Sequence, residues 1–128
     1  MTRVLIVDDD PDFIMQQKLQ LQHAGFEVVE ADSRQKARQL IESTPFDLAI
    51  LDLMMEDLDA GFVLAHDIKK KNSAIPVIMV TGVASETGME FDAATQEERS
   101  WIKADAFLAK PVRFEQLLRE INRLLKRQ

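Results

Sequence analysis

Apolar residues along this chain occur in two alternating patterns. Val4-Leu5-Ile6-Val7, Leu48-Ala49-Ile50-Leu51, Val77-Ile78-Met79-Val80 and Ala106-Phe107-Leu108-Ala109 are short continuous apolar runs. Runs of this length suit strands buried on both faces of a parallel sheet. Phe26-Glu27-Val28-Val29-Glu30-Ala31 alternates only in part, which suits a strand near a sheet edge. Between these runs the apolar positions recur at helical spacing. Phe13, Ile14, Leu19 and Leu21 mark a helix over 12–24, closed by Gly25. Ala37, Leu40 and Ile41 mark one over 34–43, with Asp32 or Ser33 as its cap and Pro45 as its stop. Phe62, Leu64, Ala65 and Ile68 mark a third helix that ends on Lys70-Lys71, where positive charge suits the helix dipole. Residues 83–105 begin small and polar and become helical in character, with Phe91, Ala94, Trp101 and Ile102 as anchors. A last helix spans about 113–126, with Phe114, Leu117, Leu118, Ile121, Leu124 and Leu125 on one side.

Strand–helix alternation repeated five times predicts an α/β fold, a parallel sheet covered by helices on both faces. Right-handed crossovers then place all the strand ends on one rim. That rim collects Asp8, Asp9, Asp52, Thr81 and Lys110. Asp10 before Pro11 reads as the N-cap of the first helix, which leaves Asp8 and Asp9 to face the crevice. In open α/β sheets, ligands bind outside the carboxyl ends of the strands.

Composition narrows the function. A length of 128 residues suits one domain, taken here as 1–128, with no low-complexity linker or repeat to divide it. The formal charge of −6 disfavours a nucleic-acid-binding face and suits a site that gathers carboxylates around a cation. The chain has no cysteine, and its only histidines, His23 and His66, are far apart, so thiol chemistry and Cys- or His-rich metal sites are set aside. No apolar run approaches the roughly 18 residues of a membrane span, and no signal-peptide pattern is visible, so the expected location is cytoplasmic.

The rim residues are a phosphoryl-transfer set. Converging carboxylates make a hard-oxygen site that suits Mg²⁺. A lysine can hold a phosphate oxygen, and a threonine hydroxyl can donate to another. An aspartate beside a metal can act as a nucleophile and carry the phosphoryl group as an acyl phosphate. Such transfer needs mainly positioning and charge neutralisation.

Four pieces, Val4 to Pro11, Asp47 to Met55, Val80-Thr81-Gly82 and Asp105 to Pro111, occur in order along the chain. Together they make it resemble the receiver domain of two-component response regulators over essentially its whole length. The resemblance implies a CheY-like, flavodoxin-like (βα)5 doubly wound fold with strand order 2-1-3-4-5. It implies that Asp52 is the phospho-acceptor. Asp9 would be a direct Mg²⁺ ligand, Asp8 would act through water, and the Met54 carbonyl would be a further ligand. Thr81 would be the switch hydroxyl, Phe107 the switch aromatic and Lys110 the phosphate-contacting lysine, with a cis Lys110–Pro111 bond. The implied donor is a sensor histidine kinase or phosphotransfer protein, and the implied product is an altered surface for a downstream effector that the residues do not name. The chain would assist its own phosphorylation without being a turnover enzyme. No nucleic-acid or membrane partner is expected, and the last helix offers a face for a homodimer. No effector segment follows, so the chain reads either as a stand-alone receiver or as part of a longer protein.

Two departures from the family pattern stand out. Glu56 lies four residues after Asp52, where proline is common, and the stretch from Thr81 to Lys110 is longer than usual, with the excess around 83–92. The main alternative is a pseudo-receiver that serves as an interaction module without phosphorylation. The intact set of Asp8, Asp9, Asp52, Thr81 and Lys110 weighs against it. A metal-dependent aspartyl phosphatase would need an acid at position 54, where Met54 stands. A flavodoxin-like nucleotide binder would need glycines or hydroxyls where Asp8-Asp9-Asp10-Pro11 stands.

Overall fold

The computed structural model describes residues 2–52, 60–81 and 104–125. Their order is β1 (Arg3–Val7), α1 (Pro11–His23), β2 (Glu27–Ala31), α2 (Arg34–Ser43), β3 (Leu48–Asp52), α3 (Ala60–Lys71), β4 (Val77–Thr81), β5 (Ala106–Ala109) and α4 (Phe114–Leu124). The five strands form one sheet in the order β2-β1-β3-β4-β5, and every neighbouring pair is parallel. This is the doubly wound, flavodoxin-like arrangement that the family resemblance implies. The expected helix within 83–105, the departures at Glu56 and 83–92, and the Met54 ligand lie outside the described residues.

Strand alternation divides the core into two layers. Val4, Ile6, Leu48, Ile50, Ile78, Val80 and Leu108 pack with Ile14 and Leu21 of α1 and with Leu117 and Ile121 of α4. Leu5, Val7, Ala49, Leu51, Val77 and Met79 pack on the other face with Ala37 and Ile41 of α2 and with Leu64, Ala65 and Ile68 of α3. Strands β3 and β4 are buried along their full length, which is why each is continuously apolar up to its final residue, Asp52 or Thr81.

Helix boundaries follow local chemistry. The Asp10 carboxylate accepts from Asp12 N at 3.0 Å and Phe13 N at 3.4 Å, and Pro11 occupies the first helical turn. Gly25 follows the end of α1 with φ of +97°, a conformation that only glycine adopts without strain. Ser33, rather than Asp32, caps α2 by accepting from Lys36 N at 3.2 Å. Two details differ from the sequence pattern. Leu19 is 58% exposed, because Ile14, Gln17 and Leu21 are the positions of α1 that face inward. Lys71 does more than balance the dipole of its own helix. Its ammonium donates to the carbonyls of Ile41 and Glu42, and so caps the end of α2.

The edge strand that carries Lys110 is held at both ends. Asp105 N donates to Val77 O at 2.8 Å, and Lys110 N donates to Thr81 O at 2.9 Å. The Asp105 carboxylate also accepts from Val77 N at 2.8 Å and from Lys69 Nζ at 2.7 Å. Lys69 donates in addition to Ile75 O at 2.7 Å. Together these contacts fix β5 against β4 and set the height at which Lys110 leaves the sheet.

Candidate functional site at the carboxyl rim of the sheet

Strand order locates the crevice. From β1 the chain crosses outward to β2, whereas β3, β4 and β5 build in the opposite direction. The crevice of such a sheet opens between β1 and β3, at their carboxyl ends. Asp8 directly follows β1 and Asp52 ends β3. Thr81 ends β4, and Lys110 directly follows β5.

Alternation also assigns sides. Asp8 continues the parity of Val4 and Ile6, Asp52 that of Leu48 and Ile50, and Lys110 that of Ala106 and Leu108, all on the α1/α4 layer. Thr81 continues the parity of Val77 and Met79, and Phe107 packs on that same α2/α3 layer.

Asp8, Asp9 and Asp52 come together as the sequence predicts. One carboxylate oxygen from each lies within 4.8 Å of the others. Asp8 is fully buried, Asp52 is 5% exposed, and Asp9 is exposed. Held this close, the ionised carboxylates repel one another. Local bonds hold Asp8 in place. Its N–H donates to Ala31 O at 3.2 Å, and its Oδ1 accepts from Asp10 N at 2.9 Å.

Lys110 Nζ stands 3.0 Å from Asp8 Oδ2. The contact is an ion pair rather than an aligned hydrogen bond, so this buried oxygen keeps a lone pair for another positive group. Burial pulls the Lys110 ammonium toward its neutral form. The contact with Asp8 and its charge, aided by Asp52 and Asp10, outweigh that and raise its pKa above the ordinary 10.5. Lys110 also lies over the Phe13 ring, 4.7 Å from its centroid, a contact the apolar pattern of α1 did not reveal. The Lys110–Pro111 bond is cis.

The donor set fits a hard divalent cation. It offers only carboxylate oxygens, carries more negative charge than one lysine offsets, and includes the incompletely satisfied Asp8 Oδ2. A cavity of about 360 Å³ lined by Phe46, Lys71 and Ile75 lies at the opposite rim, before β3 and β4, and has no carboxylate cluster.

Residues 4–122 match the response regulator receiver domain. This chain belongs to that family. Its members are signalling modules of two-component systems rather than classical enzymes. A curated relative, the heme response regulator HssR of Staphylococcus saprophyticus, is 33% identical over 128 residues, covering 99% of this chain and 53% of the relative. The chain thus spans about half the length of the curated relatives it matches. Among solved structures, a CheY-like receiver domain protein from Methanospirillum hungatei superposes with a TM-score of 0.81 at 30% identity, covering 98% of this receiver domain and 94% of its own chain. The response regulator TrrA of Thermotoga maritima, solved with Mg²⁺-BeF, superposes with a TM-score of 0.77 at 27% identity, covering 97% and 99% of the two chains. TrrA has also been solved with the histidine kinase ThkA. Among the described residues of this receiver domain, no helix is long and apolar enough to cross a membrane.

Proposed function

We propose that residues 1–128 act as one phosphorylation-controlled receiver domain, with Asp52 as the phospho-acceptor. The observation that carries this reading is the meeting of Asp8, Asp9 and Asp52 within 4.8 Å, with Lys110 closing on Asp8 at 3.0 Å. A carboxylate oxygen of Asp52 attacks the phosphorus of the donor. The bond from phosphorus to the leaving group breaks, and the leaving group departs with the electron pair. The donor is a histidine kinase or phosphotransfer protein, a reading supported by the TrrA–ThkA complex.

Asp8, Asp9 and Asp52, with the Met54 carbonyl, would hold Mg²⁺, which when bound neutralises charge on the phosphoryl oxygens. The Mg²⁺-BeF complex of TrrA supports that assignment. Lys110, already above Asp8, takes a phosphoryl oxygen as a point charge. The Thr81 hydroxyl donates to another oxygen, and Phe107, on the same layer, follows Thr81 and alters the exposed surface. Charge added at Asp52 is thus read as a change of shape by a downstream effector. A cytoplasmic location goes with this reading.

The test is intact mass after incubation with acetyl phosphate and Mg²⁺. The expected result is one added phosphoryl group on wild type, and none on Asp52→Asn or in EDTA. Equal labelling of wild type and Asp52→Asn would remove Asp52 as acceptor. No label on either would favour a phosphorylation-independent interaction module.

A further inference from the structure

Among the described residues, the Lys110 ammonium meets two groups that differ in kind. Asp8 offers a formal charge at 3.0 Å, and the Phe13 ring offers a neutral face at 4.7 Å. Phe13 belongs to the first turn of α1, and its backbone N–H is held by the capping carboxylate of Asp10 at 3.4 Å. The ring is half-buried against the α1/α4 layer of the core, so it is fixed from behind as well. The ammonium over the ring is what distinguishes phenylalanine.

The difference matters once a cation binds. In the reading above, Asp8 belongs to the cation site, so binding there weakens the hold of Asp8 on Lys110. A lysine is a point charge on a flexible four-carbon stem, so a contact that survives cation binding narrows the positions it samples. The ring face attracts the ammonium without competing for the cation's oxygen ligands.

We propose that Phe13 is a positioning residue that keeps the Lys110 ammonium over the carboxylate rim while the acids are occupied by the cation, ready for the incoming phosphoryl group. The inference rests on the phosphoryl-transfer reading. It adds a residue outside the acid, hydroxyl and lysine set, and it makes the aromatic character of position 13 part of the rate of phosphorylation.

The experiment compares wild type, Phe13→Leu and Phe13→Tyr with a series in which Phe13 carries one, two or three ring fluorines. Fluorination weakens the ring's attraction for a cation while nearly preserving its shape. Labelling by acetyl phosphate at saturating Mg²⁺ should slow about threefold or more in Phe13→Leu, stay near wild type in Phe13→Tyr, and fall stepwise with fluorine number. Equal rates throughout would overturn the proposal. A slow Phe13→Leu beside a flat fluorine series would also overturn it, because that result describes packing alone.

A second readout needs no phosphorylation. The Lys110 ε-methylene protons in the Mg²⁺-loaded protein should show an upfield ring-current shift that Phe13→Leu removes. Loss of that shift in wild type on adding Mg²⁺ would overturn the placement directly. Absence of label on wild type would instead overturn the phosphoryl reading, with the ring-current shift still deciding where Lys110 sits.

Discussion

Lys110 reaches Asp8 at 3.0 Å although β3 and β4 lie between their strands in the sheet. The contact spans the mouth of the crevice and brings the β5 edge into the acidic site. Asp8 is buried and Lys110 is partly exposed, and the one ammonium answers the charge of Asp8, Asp52 and Asp10 together.

The raised pKa of Lys110 gives a stability signature with a definite sign. A cation whose pKa is higher folded than unfolded stabilises the fold fully below the unfolded value, near 10.5, and loses that contribution as pH rises through the folded value. Thermal unfolding of wild type in EDTA should therefore show an added decline above about pH 10.5. Lys110→Met should be less stable at pH 8 and should lack that part of the decline.

Mutual repulsion of the acids predicts the opposite effect for a neutral replacement. In EDTA, Asp52→Asn should raise the urea midpoint, by about 1 kcal/mol of stability, since it removes one of three like charges held within 4.8 Å. An unchanged or lowered midpoint would mean that contacts of the Asp52 carboxylate outweigh the repulsion.

Cation binding should stabilise the same protein by linkage. At a Mg²⁺ concentration about ten times the dissociation constant, the gain is about 1.4 kcal/mol, read as a higher Tm that EDTA reverses. Asp9→Asn should lose most of this gain, because Asp9 is the exposed member of the three-acid group.

Asp10 belongs to the helix rather than to the cation. Asp10→Ala should cost about 1 kcal/mol through loss of the α1 cap while leaving Mg²⁺ stabilisation in place. The bond from Asp10 N to Asp8 Oδ1 is made by the backbone and survives the substitution.

What the sequence carried, and what it did not, follows from the range of the forces involved. The apolar runs Val4–Val7, Leu48–Leu51 and Val77–Val80 marked their strands because each is buried on both faces, and the alternation of those strands with helices placed their ends on one rim. Local caps were legible for the same reason, since Asp10 bonds to residues two and three positions on. Long-range polar contacts left no periodic trace. The bonds from Lys69 to Asp105, and from Lys71 to the end of α2, join residues 36 and 30 positions apart, which spacing alone does not pair. Gln17 shows the same limit. It is 3% exposed on the inner face of α1, where an apolar pattern passes over it. Lys110 over Phe13 needed both the sheet order and the exit height of β5 before it became visible.

Chemical trapping reads the identity of the phospho-acceptor residue by residue. An aspartyl phosphate is an acyl phosphate, so borohydride reduces it to homoserine at the phosphorylated position. After treatment with acetyl phosphate and Mg²⁺, peptide sequencing by mass spectrometry should find homoserine at position 52 and aspartate at positions 8, 9 and 10. Homoserine at any of those three with aspartate retained at 52 would contradict the assignment.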